Sequence, residues 1–306
     1  MKFRSSSAIV VAAVLLLTQA GVSRAAESDP SLIREQMTVI VDGKPEVWRL
    51  VWGSKPVPIC GVDDRDVSLT CPCSGFAYGE QAPLSLVRTR ADGHTESLEL
   101  GTLFQKDNPI VGAGGGRALV RRWAPVESGP DSDWKHFDDD DFEARVARRP
   151  LSRVLNLADY DHDGQATEFL LQVNTLPCGK HQMVLVGISK ANPHIHVFSS
   201  AEAPGQPLIL GDWEWKALRD NAHPIDVIDW QCQDHGSDTQ WKVRLSADSG
   251  TIHAAKTSRK CPDPTQSPAY RELLKLNQSY KNHQIPYDEF LKRKQALLEQ
   301  LPGDPG

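Results

Sequence analysis

Apolar and polar residues alternate with period two along most of the chain, in short runs set off by turn residues. Between Val39 and Val51 two such runs, TVIV and EVWRLVW, are split by Asp42-Gly43, a pairing that predicts a hairpin. Strands are predicted at 84–88 and 96–100 around Ala91-Asp92-Gly93, and again at 153–157, 168–173, 182–188 and 194–198. Three more follow at 224–230, 241–245 and, past Ser249-Gly250, 251–255. Only the last part changes period. Residues 267–301 carry apolar stripes at helical spacing, Tyr270, Leu273, Leu274 and Tyr280, then Tyr287, Phe290, Leu291, Leu297, Leu298 and Leu301. Ser267-Pro268 supplies a helix start. No repeat period covers the chain. The pattern predicts an α+β, mainly β fold: a disulfide-containing sandwich, barrel or partial propeller with a C-terminal helical hairpin.

The first 25 residues stand apart. Lys2 and Arg4 precede an apolar stretch from Ala8 to Leu17, and small residues lead to Ser23-Arg24-Ala25, which places a signal-peptide cleavage after Ala25. An exported protein, periplasmic or extracellular, is expected, with no transmembrane segment after removal of the signal. Of the 306 residues, roughly 280 remain, enough for a sizeable core. Loss of Lys2, Arg4 and Arg24 makes the formal charge of −6 more negative still, which argues against nucleic acid as a partner. Organisation follows composition: a β-rich half at 26–123, an acidic and proline-containing connector at 124–150, a second β-rich half at 151–262, and the helical hairpin at 263–306. The connector run Asp138 to Asp141 fits a solvated, self-repelling segment better than a cation site.

All six cysteines, Cys60, Cys71, Cys73, Cys178, Cys232 and Cys261, lie beyond the signal, and an oxidising compartment favours disulfides. Cys178 with Cys232 is one pairing to expect. Cys178-Gly-Lys-His181 and Cys232-Gln-Asp-His235 offer a tetrahedral zinc set as the weaker alternative. The segment from Cys71 to Glu80 is expected to be a tethered loop presenting Phe76 and Tyr78. Val111 to Gly116 is a glycine loop without the lysine and hydroxyl residue of a phosphate cradle.

The sharpest chemical pattern is Asp159-Tyr-Asp161-His-Asp163-Gly164-Gln165. Carboxylates at every second position can converge on one hard cation, and calcium takes six to eight oxygens. Gly164 permits the sharp turn, the Gln165 carbonyl can face the ion, and Glu168 adds a carboxylate. The predicted ligands are therefore Asp159, Asp161, Asp163, Gln165 and Glu168. Leu170 stands where an EF-hand has its bidentate glutamate, and the flanks read as strands. The segment 159–168 resembles a single FG-GAP or VCBS-type calcium loop, with the last acid one residue late, at Glu168 instead of Thr167. That resemblance implies a calcium ion in a secreted β-protein. A structural ion is expected, since three close carboxylates repel unless a cation offsets them.

Other candidates carry less chemistry. His194 and His196 share a strand face. Trp213 and Trp215 would also share one if their segment is a strand, where they stack on sugar rings or fill core. No Gly-x-Ser-x-Gly, His-Glu-x-x-His or dinucleotide fingerprint occurs. Residues of about 270–300 resemble the short C-terminal helical module called SHOCT, on Ile285, Glu289-Phe290, Lys294 and Leu297-Leu298. Gln284 and Pro286 stand where that family commonly has glycine and threonine. The resemblance implies an interaction or self-association element; a hairpin capping its own domain is the alternative. The function expected is that of a calcium-stabilised, non-enzymatic binding protein recognising a protein or cell-envelope component. The alternative is an extracytoplasmic hydrolase.

Overall fold

The computed structural model describes residues 29–61, 75–104, 116–126, 128–176, 180–232, 237–261, 267–298 and 300. The proposed signal, most of the glycine loop and Cys71, Cys73 and Cys178 lie outside that set.

The chain is mainly β, with three antiparallel sheets among the described residues. The first contains β1 (Ile33–Val41), β2 (Lys44–Trp52), β3 (Val57–Ile59), β4 (Gly79–Thr89), β5 (Thr95–Glu99) and β6 (Arg117–Arg121). Asp42 and Gly43 join β1 to β2 with φ of 49° and 73°, as a two-residue hairpin turn requires. The long β4 organises this sheet. Its first half pairs with β3 and β6, and its second half with β2 and β5.

Two short helices, α1 (Asp133–His136) and α2 (Phe142–Ala147), follow within the predicted connector. The Asp138 to Asp141 run is largely exposed, as its charge demands, but the segment is anchored. Asp133 is buried, accepting from Tyr78 Oη at 2.9 Å and from Arg149 at 2.6 Å. Phe76 and Tyr78 are each 1% exposed, so the expected presentation of these rings does not occur. Tyr78 packs with Phe142 and Val146, because the helices after β6 fold back over it.

The second sheet holds β7 (Glu168–Leu176), β8 (Lys180–Gly187), β9 (His196–Val197) and β10 (Ile209–Gly211), with β8 at its centre. Helix α3 (Asp212–Asp220) leads to the third sheet, a meander of β11 (Ile225–Trp230), β12 (Thr239–Asp248) and β13 (Thr251–Lys260). The unbroken apolar run from Met183 to Ile188 has a simple cause: β8 is buried on both faces. Val184 and Val186 join Phe169, Leu171 and Val173 against the first sheet. Leu185 faces the other way, into a core with Trp215 and Leu218 of α3 and Val243 and Leu245 of β12. Each such side chain contributes about 1.5–3 kcal/mol when fully buried. The largest core thus draws on both β-rich halves.

Residues 153–157 do not form the predicted strand. The Val154 and Leu155 amides donate to Glu35 Oε2, at 2.7 and 3.3 Å, so a side chain takes the place of a neighbouring strand. Cys232 is disulfide-bonded to Cys261 and not to Cys178, tying the ends of β11 and β13 together. At the C-terminus α4 (Pro268–Lys281) and α5 (Tyr287–Leu298) form the predicted hairpin. Leu273, Leu276 and Phe290 pack between them, and Tyr280 stacks on Phe290 at 4.4 Å.

Candidate metal centre

The acidic loop crosses from the end of the irregular segment into β7, where Ala158 and Glu168 pair across it. His162 and Gly164 take φ of 56° and 87°, folding the loop back on itself. This fold brings Asp159, Asp161 and Glu168 together: one carboxylate oxygen from each lies within 4.8 Å of the others. Asp161 and Glu168 are fully buried and Asp159 is at the half-exposed rim.

Asp161 is the central group. Its Oδ1 accepts the Asp163 amide at 3.1 Å, whereas the buried Oδ2 has no hydrogen-bond partner among the described residues. Burial pushes its carboxyl up to about 7, and the charges of Asp163 and Asp159 add to that against the Asp163 amide. Glu168 is pushed up to about 8, chiefly by burial and further by Asp161 and Asp163, while Thr167 and the Tyr160 amide oppose the rise. Glu168 Oε2 accepts that amide at 2.9 Å. Thr167 Oγ1 lies 2.6 Å from Glu168 Oε1 and 3.0 Å from the Ile188 carbonyl, and its single proton serves one of them at a time. The cluster therefore holds more acceptor capacity than its surroundings satisfy.

The remaining predicted ligands have other partners. Asp163 Oδ1 accepts the Gln165 amide at 2.8 Å and Oδ2 the Lys190 amide at 2.6 Å, while its carbonyl accepts from Lys190 Nζ. Gln165 Nε2 donates to Asp42 Oδ1 at 2.9 Å, across to the β1–β2 turn. His162 Nε2 lies 3.3 Å from the Arg219 carbonyl near the end of α3. The Gly250 amide donates to the Asp161 carbonyl at 3.0 Å from the β12–β13 turn. Tyr160 sets its ring edge-on to Trp215 of α3 at 6.2 Å. One short loop thus ties together the first sheet, the end of β8, α3 and the third sheet. Lys190, Arg219 and Gly250 left no signal in the sequence, since they lie 27 to 89 positions from the residues they hold.

The other sequence candidates resolve differently. Cys232 is taken up by its disulfide, which removes a thiolate from the zinc set; Cys178 and His235 lie outside the described residues. His194 meets Glu96 at 3.1 Å, while the His196 ring packs on Phe198 at 4.3 Å, so the two imidazoles have separate partners. Trp213 and Trp215 sit on a helix, not a strand. Two residues apart on a helix they diverge, and only Trp215 enters the core. The spacing of Trp215 and Leu218, with Asp212 and Glu214 early and Arg219 late, was the available helix signal.

No protein-family model, curated protein or solved structure matches this chain.

Proposed function

We propose that Asp159, Asp161 and Glu168 bind calcium, and that the ion clamps the body of an exported, non-enzymatic binding protein. The observation that carries this reading is the fully buried, unpartnered Asp161 Oδ2 set among two further carboxylates. Leaving such a group unsatisfied costs about 1–3 kcal/mol, and more when it is charged. An all-oxygen, acidic donor set suits calcium, with the half-exposed Asp159 side open to water ligands. Because the loop is bonded to four separate parts of the fold, an ion there would act as a structural clamp, in keeping with an FG-GAP-type loop.

A buried carboxyl pair is also what a hydrolase would need. Asp161 and Glu168 are fully buried and held by hydrogen bonds within the loop itself, which favours the structural role. Export is supported by the Cys232–Cys261 disulfide, since such bonds persist in oxidising compartments, and by a further disulfide-bonded cysteine, Cys60. No helix among the described residues is long and apolar enough to cross a membrane. We assign the C-terminal hairpin, in keeping with a SHOCT-like module, to self-association: Leu274, Tyr287, Leu291 and Leu298 remain exposed on it.

Calorimetric titration of chelator-treated protein tests the ion. Calcium is expected to bind at one site, magnesium more weakly, and the Asp161→Asn/Glu168→Gln variant not at all. Unchanged calcium binding by that variant would remove the proposal.

A further inference from the structure

Away from the cation cluster, β8, β10, α3 and the third sheet border a cleft of ≈ 490 Å³, within the range of about 300–1,000 Å³ typical of small-ligand sites. Three indoles, Trp213, Trp230 and Trp241, line it. The fold places them there by identifiable means. On β12 the face that sends Val243 and Leu245 into the core runs on to Trp241, which is 42% exposed. On β11 the register shifts between Ile228 and Trp230, so that the successive residues Asp229 and Trp230 both reach the cleft. Trp230 and Trp241 are direct cross-strand partners. Trp213 contributes from α3. Its indole lies across Gly211, where a Cβ would come within 2.5 Å of the ring, and its Nε1 donates to the Ile228 carbonyl at 3.3 Å. That ring is fixed before any ligand arrives.

Glu214 is the polar counterpart. It is 1% exposed, yet it lines the cleft. Its Oε2 accepts the Gly211 amide at 2.7 Å, while its buried Oε1 has no hydrogen-bond partner among the described residues. Native proteins rarely leave such an atom unsatisfied, so it points to a donor supplied from the cleft. Burial, reinforced by the Asp229 charge, pushes the Glu214 carboxyl up to about 7. Near neutral pH it therefore populates both the accepting and the donating form.

We propose that this cleft binds a neutral pyranose unit of a glycan, with indole faces against the C–H face of the sugar and Glu214 Oε1 hydrogen-bonded to a ring hydroxyl. The charge balance selects a neutral ligand. Asp229 is already paired with Lys256 Nζ at 3.1 Å. The Lys180 ammonium lies 3.7 Å from the centroid of Trp230, where a quaternary ammonium would otherwise sit. None of the lining residues belongs to the cation cluster, so this inference stands or falls apart from the calcium proposal.

The test is calorimetric titration of the full mature chain, in calcium buffer, with soluble hexasaccharides of β-1,4-glucan, α-1,4-glucan, β-1,4-mannan and β-1,4-N-acetylglucosamine. Tetramethylammonium and sulfate serve as charged probes. At least one neutral oligosaccharide is expected to bind. Trp241→Ala, at a half-exposed position, and the isosteric Glu214→Gln are each expected to weaken it by about tenfold or more, with unchanged circular dichroism. The assignment is overturned if no neutral hexasaccharide binds, if a charged probe binds as tightly, or if both variants bind like the wild type.

Discussion

Chelator-treated protein is expected to melt roughly 5–10 °C below calcium-saturated protein. The shift follows from linkage: an ion that binds only the folded state, at a hundred times its dissociation constant, stabilises by about 2.7 kcal/mol. For a chain of this size each kcal/mol moves the midpoint by about 2–4 °C. The geometry gives an independent reason to expect an effect of this order. Two carboxylates whose oxygens lie within 4.8 Å of each other repel, when both are ionised, by roughly 3 kcal/mol at the effective dielectric of a protein, and Asp161 has a buried oxygen with no donor to offset it. Asp161→Asn/Glu168→Gln keeps the shape and removes the charge. Chelated, that variant should melt no lower than chelated wild type, and calcium should leave it unmoved. The assay is differential scanning calorimetry of metal-stripped protein with calcium or magnesium restored. A wild-type midpoint indifferent to calcium, an equal response to magnesium, or a calcium shift retained by the double variant would refute the reasoning.

Glu214 predicts a pH effect of defined sign. Its carboxyl titrates near 4.5 when unfolded and at about 7 in the fold, so the folded chain keeps a proton that the unfolded chain gives up. The associated stability is fully present below about pH 4.5 and is lost as pH rises through 7, a change of about 3 kcal/mol that Glu214→Gln should abolish; urea denaturation at pH 5 and pH 8 would show it, and equal pH dependence in both proteins would count against it. The exposed stripe of α4 and α5 is expected to pair with a second copy, so sedimentation should detect a dimer in the wild type and a monomer in Leu274→Glu/Leu291→Glu. A monomeric wild type at high concentration would end that reading.

Much of the secondary structure was legible because its causes are local. The Asp42-Gly43 turn, the alternation in β1, β2, β7 and β12, and the stripes of α4 and α5 each need only a few neighbouring residues. The acidic loop belongs to the same class: carboxylates two positions apart, with a glycine at the turn, are adjacent in space whatever the rest of the chain does. Helix α3 escaped because it is short and its two tryptophans are equally consistent with a strand.

What the sequence determined by itself was therefore the mainly β character, the helical end and the place where carboxylates would gather. Tertiary structure decided what those pieces meet. It set β8 between two cores, paired Cys232 with Cys261, buried Phe76 and Tyr78, and turned Asp163 toward Lys190 while Asp159, Asp161 and Glu168 converged. It also assembled the Trp213, Trp230 and Trp241 cleft around Glu214. The division has a physical cause. Backbone preference and side-chain alternation act over a few residues, whereas burial and hydrogen bonding are satisfied by whichever distant segment the packing brings alongside.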